Sequence, residues 1–180
     1  MKKSIVISIV AALLFGLGSA FAQDSQDTGH DVSVTIPSLL MIRLTSGTDL
    51  GAVASPDAVV FSWDAADFEP VGTFAPTNTA NWDTVRVFAN GQGWSLSVAT
   101  TATAGFDWSN VRVTPQDVDG VTIAAFDLPD GDSEELIGAQ ARTTGWRDLG
   151  FGPAQFELTL SGSEEPNTYV TTVTYTIANP

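Results

Sequence analysis

Oxygen ligands are the most abundant chemical groups in this chain, which carries 21 Asp and Glu residues. Two stretches concentrate them beside a glycine: Asp117-Val118-Asp119-Gly120 and Asp130-Gly131-Asp132-Ser133-Glu134-Glu135. Ca²⁺ takes six to eight oxygens from flexible loops, so Asp117, Asp119, Asp130 and Asp132 are candidate calcium ligands. Neither stretch has the spacing of an EF-hand loop, and a solvated turn is the simpler reading of both. The five tryptophans are the other chemically versatile group. Exposed, they stack on sugar rings; buried, they fill a core. Trp63 and Trp94 sit on alternating stretches and read as core. Trp82, Trp108 and Trp146 lie beside loops or turns and are the candidates for an exposed, sugar-binding patch.

Most other chemistry is removed by subtraction. There is no cysteine, hence no thiol nucleophile, thiolate zinc site or iron–sulfur cluster. Both lysines, Lys2 and Lys3, belong to the N-terminal leader, so the exported chain has none for a Schiff base or a P-loop. The only histidine, His30, lies in a polar tail and reads as solvated, which argues against a Ser-His-Asp triad. Gly91-Gln92-Gly93 reads as a turn and not as a dinucleotide loop. A glycosidase built from carboxylates alone survives this exclusion, but no pair of acids stands out, and the chain is small for a glycan cleft with its support. The expectation is a protein that is not an enzyme.

The elements that would position these groups are strands. Gly93-Trp94-Ser95-Leu96-Ser97-Val98 alternates large apolar with small polar residues, the period of a strand that buries one face. Val85-Arg86-Val87-Phe88 precedes it across Ala89-Asn90-Gly91-Gln92-Gly93, and the two predict a hairpin. Near the C-terminus, Tyr169, Thr171, Val173, Tyr175 and Ile177 fall on one face of a last strand over 169–177. Trp94-Ser95-Leu96 after a glycine turn, closed by Tyr175-Thr176-Ile177 with Tyr169 before it, resembles the WxL-type cell-surface domain of bacteria. Tyr and Ile stand where that family's second motif has Trp and Leu. The resemblance spans most of the exported chain. It implies a cell-surface domain attached non-covalently to peptidoglycan, with Trp94, Leu96, Tyr169, Tyr175 and Ile177 as its motif residues. The larger members carry a separate N-terminal adhesive module that this sequence lacks, so the domain is expected to act alone or as a subunit.

Residues 1–22 read as a cleaved signal peptide. Lys2 and Lys3 form the positive region, Ile5–Leu17 the apolar run, and Ser19-Ala20-Phe21-Ala22 the cleavage site before Gln23. The run is short for a ~30 Å hydrocarbon core, and no basic stop-transfer cluster follows. The expectation is a secreted protein located at the cell surface or envelope. After the leader, five arginines face 21 acids, a net charge of −16. Such a surface is soluble and repels nucleic acid and anionic lipid. It also permits cation-dependent association with a polyanionic wall.

Residues 23–31 read as a flexible acidic lead, and 32–180 as one domain long enough to bury a core without disulfides. Val32-Ser33-Val34-Thr35-Ile36 alternates strictly and predicts the first strand. Further strands are expected over 39–44, 58–63, 111–113, 121–126 and 156–160. Residues 64–81 read as a long loop or as one hiding a short strand at 71–74; 128–135 reads as an acidic loop; 136–141 fits a strand or a helical turn. No stretch has helical periodicity. The prediction is an all-β protein of roughly nine strands, a two-sheet antiparallel β-sandwich of immunoglobulin-like or jelly-roll type.

Three functions fit these expectations. The chain is a surface domain held to the cell wall or to partner surface proteins; or a pilus-like subunit that self-assembles by strand exchange, with 32–36 as the donor; or a small carbohydrate-binding module.

Overall fold

The computed structural model of the chain describes residues 33–63, 70–118 and 120–179. The signal segment over 1–22, the lead over 23–31 with His30, and Asp119 lie outside the described residues. The chain divides into two units, 1–36 and 37–180. In the first, Ser33–Ile36 forms no strand, and the side chains of Val34 and Ile36 are exposed at 75% and 77%. The strand expected over 32–36 is therefore not formed across its described part. Alternation makes a strand only when a neighbouring edge supplies the ladder.

Among the described residues the second unit holds ten strands: β1 (Leu40–Thr45), β2 (Val71–Phe74), β3 (Thr84–Ala89), β4 (Trp94–Ala99), β5 (Val111–Val113), β6 (Phe126–Asp127), β7 (Ser133–Gln140), β8 (Arg147–Asp148), β9 (Phe156–Ser161) and β10 (Thr174–Ala178). They form three antiparallel sheets ordered β1-β3-β8, β10-β4-β7 and β2-β9-β5-β6. The only helical segments among the described residues are two short 3₁₀ turns, Trp108–Asn110 and Pro153–Gln155. The all-β, sandwich-like architecture expected from the sequence is the one the chain adopts, with its ladders divided among three sheets.

Strands β3 and β4 are each central in a sheet. Val85, Val87 and Ala89 from β3 and Trp94, Leu96 and Val98 from β4 are buried to 1% exposure or less and belong to one core cluster. They do not form the expected hairpin. β3 pairs with β1 and β8, and β4 pairs with β10 and β7, so both edges of each strand are already occupied. The connection over 90–93 carries the chain from one sheet to the other. Gly93, at φ 84°, makes the turn, and its N–H donates to the Gln140 carbonyl at 2.7 Å. Residues of period two look alike whether two strands pair or stand in different sheets, because both arrangements bury one face of each.

The region over 57–63 departs from expectation in a similar way. Val59, Phe61 and Trp63 are half-buried and Val60 and Ser62 exposed, as a strand requires, but no ladder forms. Side chains replace it. Asn78 Nδ2 donates to the Ala58 carbonyl (2.8 Å) while its Oδ1 accepts from Val60 N–H (2.8 Å). Thr77 Oγ1 accepts from Ser62 N–H, and Asn81 and Asp57 exchange bonds with each other's backbone. Asx and Thr side chains can satisfy an extended backbone in this way. The short strand considered at 71–74 is present as β2. The stretch over 121–126 is largely irregular, keeping only Phe126 in β6 and an isolated bridge between Val118 and Val121. Residues 136–140 are strand, in β7, which begins within the expected acidic loop. β10 forms a ladder only from Thr174, although Tyr169, Thr171 and Val173 upstream keep the same half-buried face.

β8 lies in a glycine-rich stretch with no periodic signal. Its path continues along β3: Leu149 N–H donates to the Val85 carbonyl at 2.9 Å, and Val85 N–H to the Phe151 carbonyl at 3.1 Å. Leu149 and Phe151 are fully buried. Two glycines allow this close passage. A Cβ at Gly150 (φ +73°) would meet the Gln116 carbonyl oxygen, and one at Gly152 the Asp83 carbonyl oxygen.

Candidate functional site

The two motifs singled out in the sequence are neighbours in one ladder. Tyr175 lies opposite Val98, and Ile177 opposite Leu96, on β10 and β4. Both motifs pack. Trp94 is 1% exposed and its indole N–H donates to the Ala141 carbonyl at 2.7 Å; Leu96 is fully buried. The Tyr175 ring lies 5.4 Å from Phe151, and its hydroxyl is buried with no hydrogen-bond partner among the described residues. Burial pushes the phenol well above its ordinary value of 10.0, so it is neutral at physiological pH. Tyr169 stands apart, stacked on Phe106 at 4.9 Å, its hydroxyl donating to the Glu165 carbonyl at 2.7 Å. Chemically, the motif residues join and fill sheets; none offers a free polar group to a ligand.

The three tryptophans read as surface candidates do not form one platform. Trp82 is buried, at 6% exposure, because the extended segment over 57–63 folds against it and the Asp57 carbonyl accepts its indole N–H at 2.9 Å. Trp108 is half-buried, edge-on to Phe106 at 4.8 Å and bonded to Thr103 Oγ1. Trp146 is half-buried, with the Arg43 guanidinium 4.4 Å above its ring and Phe88 5.9 Å away. Trp63, read as core, is half-buried and edge-on to Phe74 at 4.8 Å.

The candidate calcium ligands are not assembled either. Among the described residues, no group of three or more His, Cys, Asp or Glu side chains is arranged to hold a metal. Asp117 accepts from Thr122 Oγ1 at 3.0 Å, and Asp130 and Asp132 are exposed on a turn whose backbone bonds to Thr100.

What the sequence reading missed is the outer face of the β1-β3-β8 sheet. Register places Met41 opposite Phe88, Arg43 opposite Arg86, and Arg86 opposite Asp148. Arg43 and Arg86, two of the five arginines present after the leader, are neighbours on this face, whereas Arg147 lies opposite the inward Val87. Beside them a polar cleft of about 230 Å³ is lined by Gly47, Asp83, Arg86, Gln116, Asp148 and Gln155, among others. Arg86 Nη2 donates to the Gly47 carbonyl at 3.0 Å and stands 3.6 Å from Asp148 Oδ2. Its Nε is buried and, among the described residues, has no hydrogen-bond partner. Asp148 Oδ1 accepts from Thr84 Oγ1 and from Gly150 N–H (2.8 Å), which fixes the carboxylate. The cleft offers cationic and hydrogen-bonding groups for a polar ligand. Arg43 and Arg86 were visible in the sequence only as the outward residues of alternating stretches. Their convergence depends on strand register and on β8, neither of which the sequence signals.

No known family's sequence profile matches this chain, and no curated protein or solved structure matches it.

Proposed function

We propose that the chain is an exported, non-enzymatic cell-surface domain that associates with the bacterial envelope, through peptidoglycan or through partner surface proteins. The observation that carries this reading is the pairing of the two motifs: Trp94-Ser95-Leu96 and Tyr175-Thr176-Ile177 come together in one ladder, with Leu96 opposite Ile177. Because both motifs are packed inward, the contact with the envelope belongs to the surface. The outer face of β1-β3-β8 is the best equipped part of it. Arg43 and Arg86 suit carboxylate groups, which wall peptides and acidic glycans carry.

A pelleting assay tests the reading. The protein over 23–180 is mixed with isolated bacterial cell walls, with cellulose and chitin as controls, with and without Ca²⁺. Pelleting with walls that falls sharply in Arg43→Gln is the expected result. Pelleting with cellulose or chitin instead identifies a carbohydrate-binding module. A protein that stays in the supernatant throughout refutes wall attachment.

A further inference from the structure

The cleft beside β3 and β8 is lined by residues that are each anchored through one atom and leave another without a partner. Asp83, just before β3, donates its N–H to the Thr45 carbonyl at 3.0 Å and accepts from Gly47 N–H through Oδ2. Its Oδ1 accepts nothing among the described residues. Gln155 accepts from Gly152 N–H through Oε1 at 2.8 Å, and its Nε2 donates to nothing among the described residues. Gln116 donates its backbone N–H to the Gly150 carbonyl at 2.7 Å, and its side-chain amide is likewise unbonded among them. Arg86 directs Nη2 to the Gly47 carbonyl and Asp148, and its Nη1 has no partner among the described residues.

The frame around these open atoms is tightly bonded. Asp148 Oδ1 accepts from Thr84 Oγ1 and from Gly150 N–H, which ties β8 and the chain beyond it to β3. A Cβ at Gly150 would collide with the Gln116 carbonyl oxygen, so two walls of the cleft touch there through backbone alone. The volume of about 230 Å³ equals about eight waters at ~30 Å³ each, room for one sugar ring with its hydroxyls and not for two.

The open atoms select a class of ligand. Gln155 Nε2 and Arg86 Nη1 are donors, Asp83 Oδ1 is an acceptor, and the Gln116 amide is both. A hydroxyl donates and accepts, so it satisfies any of them. Asp83 and Asp148 oppose an anion, and the Arg86 guanidinium already faces Asp148 at 3.6 Å. The same guanidinium opposes a cation. An apolar ligand would cut the open atoms off from water and leave them unpaired. What fits is an uncharged molecule rich in hydroxyls and the size of one ring.

We propose that this cleft binds one neutral sugar unit through its hydroxyl groups. Asp83 Oδ1 accepts from one hydroxyl, Gln155 Nε2 and Arg86 Nη1 donate to others, and the Gln116 amide bonds at the rim. Val118, the apolar side chain of the lining, covers part of the C–H face of the ring. The site works by hydrogen bonding and not by stacking, since no tryptophan lines it. Sugar binding here goes beyond envelope attachment and does not require it.

Amide NMR of the protein over 23–180 tests it, in titrations with glucose, galactose, mannose and N-acetylglucosamine up to ~100 mM. The expected result is that at least one of these sugars shifts the Gly47 and Gly150 amides and the Gln116 and Gln155 side-chain amides, saturating with a dissociation constant of ~1–10 mM, the order for a ligand of this size. The uronate and the amine of the same ring should bind at least ~5-fold more weakly, because each brings a charge that the cleft opposes. Asp83→Asn keeps an oxygen for Gly47 N–H but turns the open acceptor into a donor, so affinity should fall at least ~5-fold with Tm unchanged. Gln116→Ala removes an exposed amide and should weaken binding ~3-fold, again without moving Tm. The proposal is overturned if no neutral sugar saturates, if the shifts fall away from the cleft, if a charged ring binds as tightly, or if both variants bind like the unaltered protein. Wall pelleting is read separately. Sugar binding without pelleting refutes only attachment, and pelleting without sugar binding refutes only the sugar site.

Discussion

Leu96 and Ile177 lie opposite each other across the β4–β10 ladder, one fully buried in the middle of a sheet and the other half-buried at its edge. The difference between them is the number of neighbouring strands. β4 has a partner on both sides and β10 on one, so the same apolar-in, hydroxyl-out pattern yields a sealed core in one strand and an incomplete one in the other.

The sealed strand carries the stability. Trp94 fills the core at 1% exposure and ties its indole N–H to the Ala141 carbonyl. Trp94→Ala removes a large buried side chain and leaves that carbonyl unpaired, at a cost of about 3–5 kcal/mol. Chemical denaturation should show this loss in the midpoint. An unchanged midpoint would mean that β4 is not the strand around which the core is built.

Tyr175 packs its ring against Phe151 but leaves its hydroxyl buried and, among the described residues, unbonded, a feature that opposes folding. Tyr175→Phe keeps the ring and removes the unsatisfied group, so it should stabilise the protein by about 1 kcal/mol at neutral pH and raise Tm by roughly 2–4 °C. The same residue sets an alkaline limit. Burial holds the folded-state phenol above its ordinary value of 10.0. Above that pH the unfolded chain releases the phenolic proton while the folded chain keeps it. Stability contributed by the neutral phenol is full below about pH 10 and falls as pH rises beyond it, by about 1.4 kcal/mol per unit. Melting curves between pH 8 and pH 11 should show this fall in the native protein and a smaller one in Tyr175→Phe.

Local alternation was legible and its partners were not. β4, β5, β9 and the face of β10 follow from period-two patterns that tertiary packing respects. The same pattern over 85–98 suggested a hairpin, since nothing in a single strand's sequence tells whether its glycine link turns back within a sheet or crosses between sheets. Trp82 looked exposed because it follows a loop. The described end of that loop, over 77–81, is tied to the segment over 55–63 by Asn78, Asn81 and Thr77 side chains, and bonds between side chain and backbone at such separations leave no periodic trace. Arg147 and Asp148 form a two-residue strand that no window could detect, and with it the cleft around Arg86 stayed hidden. Val32–Ile36 shows the opposite case, a strand-like sequence with no ladder across its described part.

The close passage of the segment beyond β8 depends on Gly152. A methyl group there would collide with the Asp83 carbonyl oxygen, which is backbone and cannot swing aside. Gly152→Ala should cost about 3 kcal/mol. The loss should extend to the neighbouring cleft, because Asp83 N–H donates to the Thr45 carbonyl and Asp83 Oδ2 accepts from Gly47 N–H. Gly145→Ala is the control. Nothing lies within 4 Å of a Cβ at that position, so Tm should move little. Equal losses in the two variants would rule out the steric argument.

The pair formed by Arg86 and Asp148 joins β3 to β8 and shapes the cleft. Their side chains are 16% and 25% exposed, so solvent screens the 3.6 Å ion pair only partly. Asp148 also accepts from Thr84 Oγ1 and Gly150 N–H, whereas Arg86 has, among the described residues, one carbonyl bond and an unpaired buried Nε. The two residues therefore differ in what they leave behind when removed. Asp148→Asn strips the counter-charge from Arg86 and weakens the anchor of Gly150, at about 2 kcal/mol. Arg86→Met removes the unsatisfied Nε together with the charge and keeps much of the apolar stem, at about 1 kcal/mol. A double-mutant cycle should give a coupling of about 1 kcal/mol that shrinks only slightly in high salt, as expected of a partly buried pair. A coupling near zero would reduce Asp148 to a backbone anchor for Gly150. Arg86 would then be free of its carboxylate and available to an acidic group on the wall, and Asp148→Asn would leave wall pelleting unchanged.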